Sequence, residues 1–133
     1  MIEGLSHITF IVRDLERMEN ILTTVLDARK LYDSGDRTFS ISREMFFDIG
    51  GLWIAVMEGE PLPVTSYNHV AFKMSAEDYD DRLERIRSLG LTVREGRSRV
   101  EGEGNSIYFY DDDNHLFELH TGTLDERLRR YRH

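Results

Sequence analysis

Three side chains far apart in the sequence, His7, His69 and Glu118, carry donor atoms that can hold a divalent cation. Two imidazoles and one carboxylate suit manganese, iron(II) or zinc, and they leave coordination positions for water or substrate, as a catalytic site requires. The chain has no cysteine, which excludes disulfides, thiolate zinc sites and cysteine nucleophiles. By residue type alone the reading stays open, because a histidine on a half-buried strand is more often packed or hydrogen-bonded than ligating. His115 reads as a solvent-facing residue of a polar turn. His120 shares a strand face with Glu118 and is a weaker ligand candidate.

What gives the histidines weight is an internal repeat. Ser6-His7-Ile8-Thr9-Phe10 matches Asn68-His69-Val70-Ala71-Phe72, and each segment leads into a helix-like stretch. On each strand the histidine shares a face with the residue two places on, so His7 lies with Thr9 and away from Ile8 and Phe10. The first helix opens at Asp14, an N-cap type, and carries Leu15, Met18, Leu22 and Val25 on one face. The second opens at Ser75 with Asp78 three residues on, shows the stripe Tyr79, Leu83 and Ile86, and stops at Gly90.

Three strand-like runs follow each helix. They fall at about 38–42, 45–49 and 52–58 in the first half, with a hairpin turn at Gly50-Gly51. In the second half they fall at about 92–97, 106–110 and 115–120. The linker Gly59-Glu60-Pro61-Leu62-Pro63 holds both prolines. An α+β fold of two paired βαβββ modules follows, with module one at about 1–59, module two at about 65–122 and a tail at 123–133. A module of about 60 residues has a thin core, so each half is expected to pack on the other or on a partner chain. Glu118, flanked by Phe117 and Leu119, is costly to bury without a cation or partner. Aligning Gly59 with Gly122 puts Ala55 at the matching place of module one, where nothing can ligate.

With 133 residues, 40% apolar and 32% charged, the chain is one globular domain's worth. A formal charge of −8 argues against nucleic acid as a partner. No apolar run approaches the roughly 20 residues of a membrane span. No leader-like segment precedes the first strand, so a cytoplasmic location is expected.

Taken together, the paired modules with His7, His69 and Glu118 resemble the vicinal-oxygen-chelate superfamily that includes glyoxalase I. The resemblance narrows through Gly4-Leu5-Ser6-His7-Ile8-Thr9, Tyr67-Asn68-His69-Val70-Ala71-Phe72 and the stretch from Glu101-Gly102-Glu103-Gly104 to Glu118-Leu119-His120-Thr121-Gly122. These segments are similar to the fosfomycin resistance proteins, over nearly the whole chain. Members differ in the nucleophile that opens the epoxide: glutathione, another small thiol or, in the FosX type, water. The hydrolases carry a glutamate where this chain has Glu44, in Ser42-Arg43-Glu44-Met45.

The resemblance implies a Mn(II)-dependent fosfomycin epoxide hydrolase, with His7, His69 and Glu118 on the metal and Glu44 as the base that takes a proton from the attacking water. It also implies a homodimer whose sites combine modules from both chains. Arg127 and Tyr108 would contact the phosphonate, Thr9 and Tyr67 would lie near the metal, and Arg97 would replace a lysine of the thiol-using relatives. The glutathione-using relatives bind potassium in a loop whose counterpart here, residues 97–104, reads as longer and richer in arginine, so no potassium requirement is expected. By residue type alone Glu44 is an exposed turn residue beside Arg43, Arg127 lies on a solvated helix face, and Tyr108 is a strand core residue. Three alternatives stay open: a thiol transferase of the same fold, an iron(II) dioxygenase of the same superfamily, and a metal-free protein that sequesters an antibiotic.

Overall fold

The structure, a computed structural model, describes residues 1–37, 41–94 and 104–132. It contains two compact units, one of residues 1–64 with 112–114, the other of residues 65–111 with 115–133.

In the first unit β1 (His7–Val12) leads into α1 (Leu15–Val25), and β2 (Arg29–Asp33), β3 (Glu44–Ile49) and β4 (Leu52–Glu58) complete a sheet of order β1-β4-β3-β2. β1 runs parallel to β4, and the other pairs are antiparallel. Asp14 caps α1 by accepting the Arg17 backbone N–H at 3.0 Å. Leu15, Met18, Ile21, Leu22 and Val25 recur at helical spacing and are all buried. So are Phe10, Val12, Met45, Phe47, Ile49, Ile54 and Val56, which the strand registers place on one face of the sheet. Gly50 and Gly51 both take positive φ, 58° and 91°, as the tight β3–β4 turn requires.

The second unit repeats the plan. β5 (His69–Lys73), α2 (Tyr79–Ser88), β6 (Val93–Arg94), β7 (Ser106–Tyr110) and β8 (Leu116–His120) give a sheet of order β5-β8-β7-β6, with β5 parallel to β8. Ile107, Phe109, Phe117 and Leu119 share one buried face, on which Phe109 stacks on Phe117 at 5.5 Å. The chain therefore has the expected pair of βαβββ modules, and α3 (Leu124–Tyr131) follows.

Several boundaries differ from the sequence reading. The strand expected at 38–42 is instead β2 at Arg29–Asp33; Ile41 and Ser42 form a bend, and 38–40 lie outside the described residues. β2 is a charged edge strand whose side chains are tied off by ion pairs, Arg29 to Asp48, Lys30 to Glu19 and Asp33 to Arg43, so it lacks the apolar alternation that marks a strand. Ser75 makes no side-chain capping bond, and a 3₁₀ turn (Ala76–Asp78) precedes α2. The tail holds a helix, capped by Thr123, which accepts the Glu126 N–H at 3.2 Å. No helix among the described residues is long and apolar enough to cross a membrane.

Candidate metal centre

Each sheet has a second face that its helix does not cover. In the first unit the registers place His7, Trp53 and Asp48 in one cross-strand row, Thr9, Ala55 and Phe46 in the next, and Ile11, Met57 and Glu44 in the third. His7, Thr9 and Glu44 thus lie on one face of one sheet. The His7 ring is stacked on Trp53, with centroids 4.0 Å apart, and its Nδ1 is 3.0 Å from Ser6 Oγ.

Glu44 is not the exposed turn residue that its neighbours suggested. It opens β3, is 9% exposed, and is fixed by two bonds to Ser34: its N–H donates to Ser34 Oγ at 3.0 Å, and its carbonyl accepts the Ser34 N–H at 3.0 Å. Next to it Arg43 pairs with Asp33 at 2.9 Å and Glu16 at 2.7 Å. Hydrogen bonding to that guanidinium holds both carboxyls below their usual range, and the two acids in turn raise Arg43.

In the second unit the equivalent face carries His69, Ala71 and Lys73 from β5, Leu116, Glu118 and His120 from β8, Ser106, Tyr108 and Tyr110 from β7, and Arg94 from β6. The repeat holds at the level of register. The residue two after His7 faces Ala55, and the residue two after His69 faces Glu118. Ala55 and Glu118 are therefore equivalent positions, as their sequence alignment suggested.

His69 and Glu118 meet. Imidazole Nε2 is 3.0 Å from Glu118 Oε1, while Nδ1 is 2.7 Å from the Tyr67 carbonyl. A carbonyl only accepts, so Nδ1 carries a proton and Nε2 is turned toward a carboxylate oxygen. A ring nitrogen and a carboxylate oxygen at this distance are joined either by a proton on Nε2 or by a cation that both hold. The Glu118 carboxyl is buried, and its other oxygen accepts the Ser106 hydroxyl at 2.5 Å. Donors about 2.1 Å from one ion and at right angles are about 3 Å apart, so this pair fits a divalent cation. A second carbonyl-bound ring nitrogen is the usual orienting partner of a histidine ligand.

Tyr67 and Tyr108 close one side of the pair. Their hydroxyls are 3.2 Å apart, and both rings lie against His69. Burial, the Tyr67 hydroxyl and the negative Glu118 all push the Tyr108 phenol well above its ordinary value, so it stays a hydrogen-bond donor. Its half-buried place on the open face corrects the view of it as a core residue. Arg127 reaches from α3 to His120, with Nη2 3.5 Å from Nε2, and is not a purely solvated residue. His115 is also not solvent-facing, because its ring is held 2.7 Å from buried Asp111. Arg97 and most of the loop after it lie outside the described residues.

Two groups escaped the sequence reading. Arg94 lies over the Tyr67 ring at 4.7 Å, and Ser106 touches both Glu118 and His120. The alternation of β7 could have placed Ser106 beside Tyr108, but only the β7–β8 register pairs it with His120. Among the described residues, no three His, Asp or Glu side chains of one chain are gathered as a cation site.

The chain matches the family model of the Glyoxalase/Bleomycin resistance protein/Dioxygenase superfamily over residues 4–119. It is 65% identical over 130 residues to a fosfomycin resistance protein FosX of Mesorhizobium japonicum, covering 98% of this chain and 94% of that one. A FosX of Listeria innocua is 60% identical over 131 residues, covering 98% of each. Among solved structures, a variant FosX of Listeria monocytogenes with Mn(II) and 1S,2S-dihydroxypropylphosphonic acid superimposes with a TM-score of 0.90. It is 53% identical, over 98% of this chain and 99% of that one.

Proposed function

The chain belongs to the Glyoxalase/Bleomycin resistance protein/Dioxygenase superfamily and, within it, to the FosX fosfomycin resistance proteins, and on that premise we propose that it is a Mn(II)-dependent hydrolase that adds water to the epoxide ring of fosfomycin. The observation that carries the reading is the His69 Nε2–Glu118 Oε1 pair at 3.0 Å, with the imidazole held from behind by the bond of Nδ1 to the Tyr67 carbonyl. In this reading His69 and Glu118 hold the ion together with His7 of the partner subunit. The enzyme is a homodimer in the cytoplasm, its two modules (about 1–59 and 65–122) working as one domain when two copies exchange them. When bound, the ion supplies Lewis-acid polarisation of the ring carbon–oxygen bond that breaks.

The residues of the chain do the rest. Glu44 takes a proton from water on one carboxylate oxygen as the water oxygen bonds to the ring carbon and the ring carbon–oxygen bond breaks; the alkoxide so formed takes up a proton from solvent to complete the vicinal diol, and Glu44 returns its own proton to solvent. Its two backbone bonds to Ser34 hold it at the start of β3, on the same sheet face as Thr9 and His7. Tyr108 donates its phenolic hydrogen, and Arg127 offers a planar guanidinium, to the phosphonate. Tyr67 backs both Tyr108 and His69. Arg97 adds a further cation, and no potassium ion is needed.

The test is phosphorus NMR of fosfomycin with Mn(II)-loaded protein, with and without added thiol. Diol formed without thiol is expected, and a thiol adduct as the only product would replace hydration by thiol transfer. Glu44→Gln should slow hydration by about 10²–10⁴ and leave Mn(II) binding as it was. Hydration at an undiminished rate would remove Glu44 from the base role.

A further inference from the structure

Glu118 uses its two oxygens differently. Oε1 faces His69 Nε2, whereas Oε2 accepts the Ser106 hydroxyl at 2.5 Å. Behind Ser106 stands His120, its Nδ1 2.7 Å from Ser106 Oγ and 3.3 Å from Glu118 Oε2. Behind His120 stands Arg127, whose Nη2 is 3.5 Å from His120 Nε2.

One set of directions satisfies every bond in this chain. A guanidinium has donors and no acceptor, so His120 Nε2 accepts and His120 Nδ1 carries the ring proton. That proton goes to Ser106 Oγ, and the serine hydrogen goes to Glu118. Arg127, His120, Ser106 and Glu118 therefore form one series of donors ending on a buried carboxylate. Only the strand pairing makes it possible, because Ser106 and His120 are direct cross-strand partners and Glu118 lies two residues before His120 on the same face.

We propose that Ser106 and His120 are positioning residues that fix the Glu118 carboxylate for the metal and join it to Arg127. The proposal rests on the metal reading given above. One side of the imidazole sets the metal ligand, and the other sets the cation that meets the phosphonate. The two halves of the site are thereby held by a single ring, and each responds when the ring is removed.

The experiment measures the Mn(II) dissociation constant of the full-length protein by electron paramagnetic resonance of free Mn(II), with folding checked by circular dichroism. His120→Leu and Ser106→Ala should each weaken Mn(II) binding by about 10–100-fold. The double variant should be little worse than the weaker single one, because both act through one oxygen. His120→Asn keeps an N–H for Ser106 and offers Arg127 no ring nitrogen. It should recover Mn(II) affinity to within about threefold of wild type, yet keep a raised KM for fosfomycin. Wild-type affinity in His120→Leu or Ser106→Ala, multiplying losses in the double variant, or an Asn variant as weak as the Leu variant would each overturn the proposal. If Glu118→Gln binds Mn(II) as tightly as wild type, the metal reading itself falls and the proposal with it. If Glu118→Gln is weak and the serine and histidine variants are not, only the proposal falls.

Discussion

Replacing Glu118 by Gln separates a metal ligand from a structural acid, because the two roles give opposite signs. In the protein without metal, the buried carboxylate faces His69 Nε2 at 3.0 Å. A glutamine of the same shape can accept the Ser106 hydroxyl on its oxygen and donate from its amide to Nε2. No polar group is then left without a partner, and a buried charge has gone. The metal-free variant should melt no more than about 2 °C below wild type, and a rise would fit as well.

With Mn(II) at about 100 times the wild-type dissociation constant, linkage stabilises the wild type by about 2.7 kcal/mol. At about 2.1 cal/mol/K per residue, 133 residues give an unfolding entropy of about 0.28 kcal/mol/K, so the metal should raise Tm by about 10 °C. Loss of a ligand weakens binding by at least about a hundredfold, which leaves about 0.4 kcal/mol and a shift of only 1–2 °C. Differential scanning calorimetry with and without Mn(II) reads both numbers. A variant that keeps the full metal-dependent shift would refute the ligand role, and one whose metal-free form melts many degrees lower would show that Glu118 is held for structure.

Gly104→Ala should cost at least about 2 kcal/mol, read as a lowered urea midpoint. Its φ of 79° is unfavourable for any side chain, and an added Cβ would meet the Gly122 backbone nitrogen at 2.5 Å. Arg43→Gln should flatten the acid limb of stability. Asp33 and Glu16 have carboxyls held below their unfolded values by Arg43. Their stabilising share is therefore complete above about pH 4–5 and lost as pH falls through the lower folded values. Urea midpoints between pH 5 and pH 3 should fall less in the variant, and an equal fall would contradict the assignment.

The parts of the site legible in the sequence are those that follow from strand periodicity and duplication. His7 and His69 stand out because each begins a β-branched, phenylalanine-bearing strand ahead of a helix, and the Ala55–Glu118 equivalence follows from aligning the two halves. What stayed hidden depends on partners brought in by register. Glu44 follows a serine and an arginine, and nothing local says that Ser34, from beyond β2, will bond its backbone and help bury it. β2 was invisible because its charges are satisfied across strands and by α1. His115 looked exposed because its cover, Asp111, is supplied by the same polar turn. Arg127 looked like any arginine on a charged helix until His120 appeared at its tip.

The tip of the β7–β8 hairpin has a further consequence. Asp112–Asn114 belong to the first compact unit, although the strands on either side belong to the second. Asp113 accepts the Arg13 backbone N–H and guanidinium, Asp112 pairs with Arg17 at 2.8 Å, and the Asn114 amide bonds the Leu62 carbonyl. A chimera that joined the amino-terminal half of this chain to the carboxyl-terminal half of a relative would take its tip from the relative. Breeding such enzymes by exchanging halves should succeed only when these three residues travel with Arg13 and Arg17.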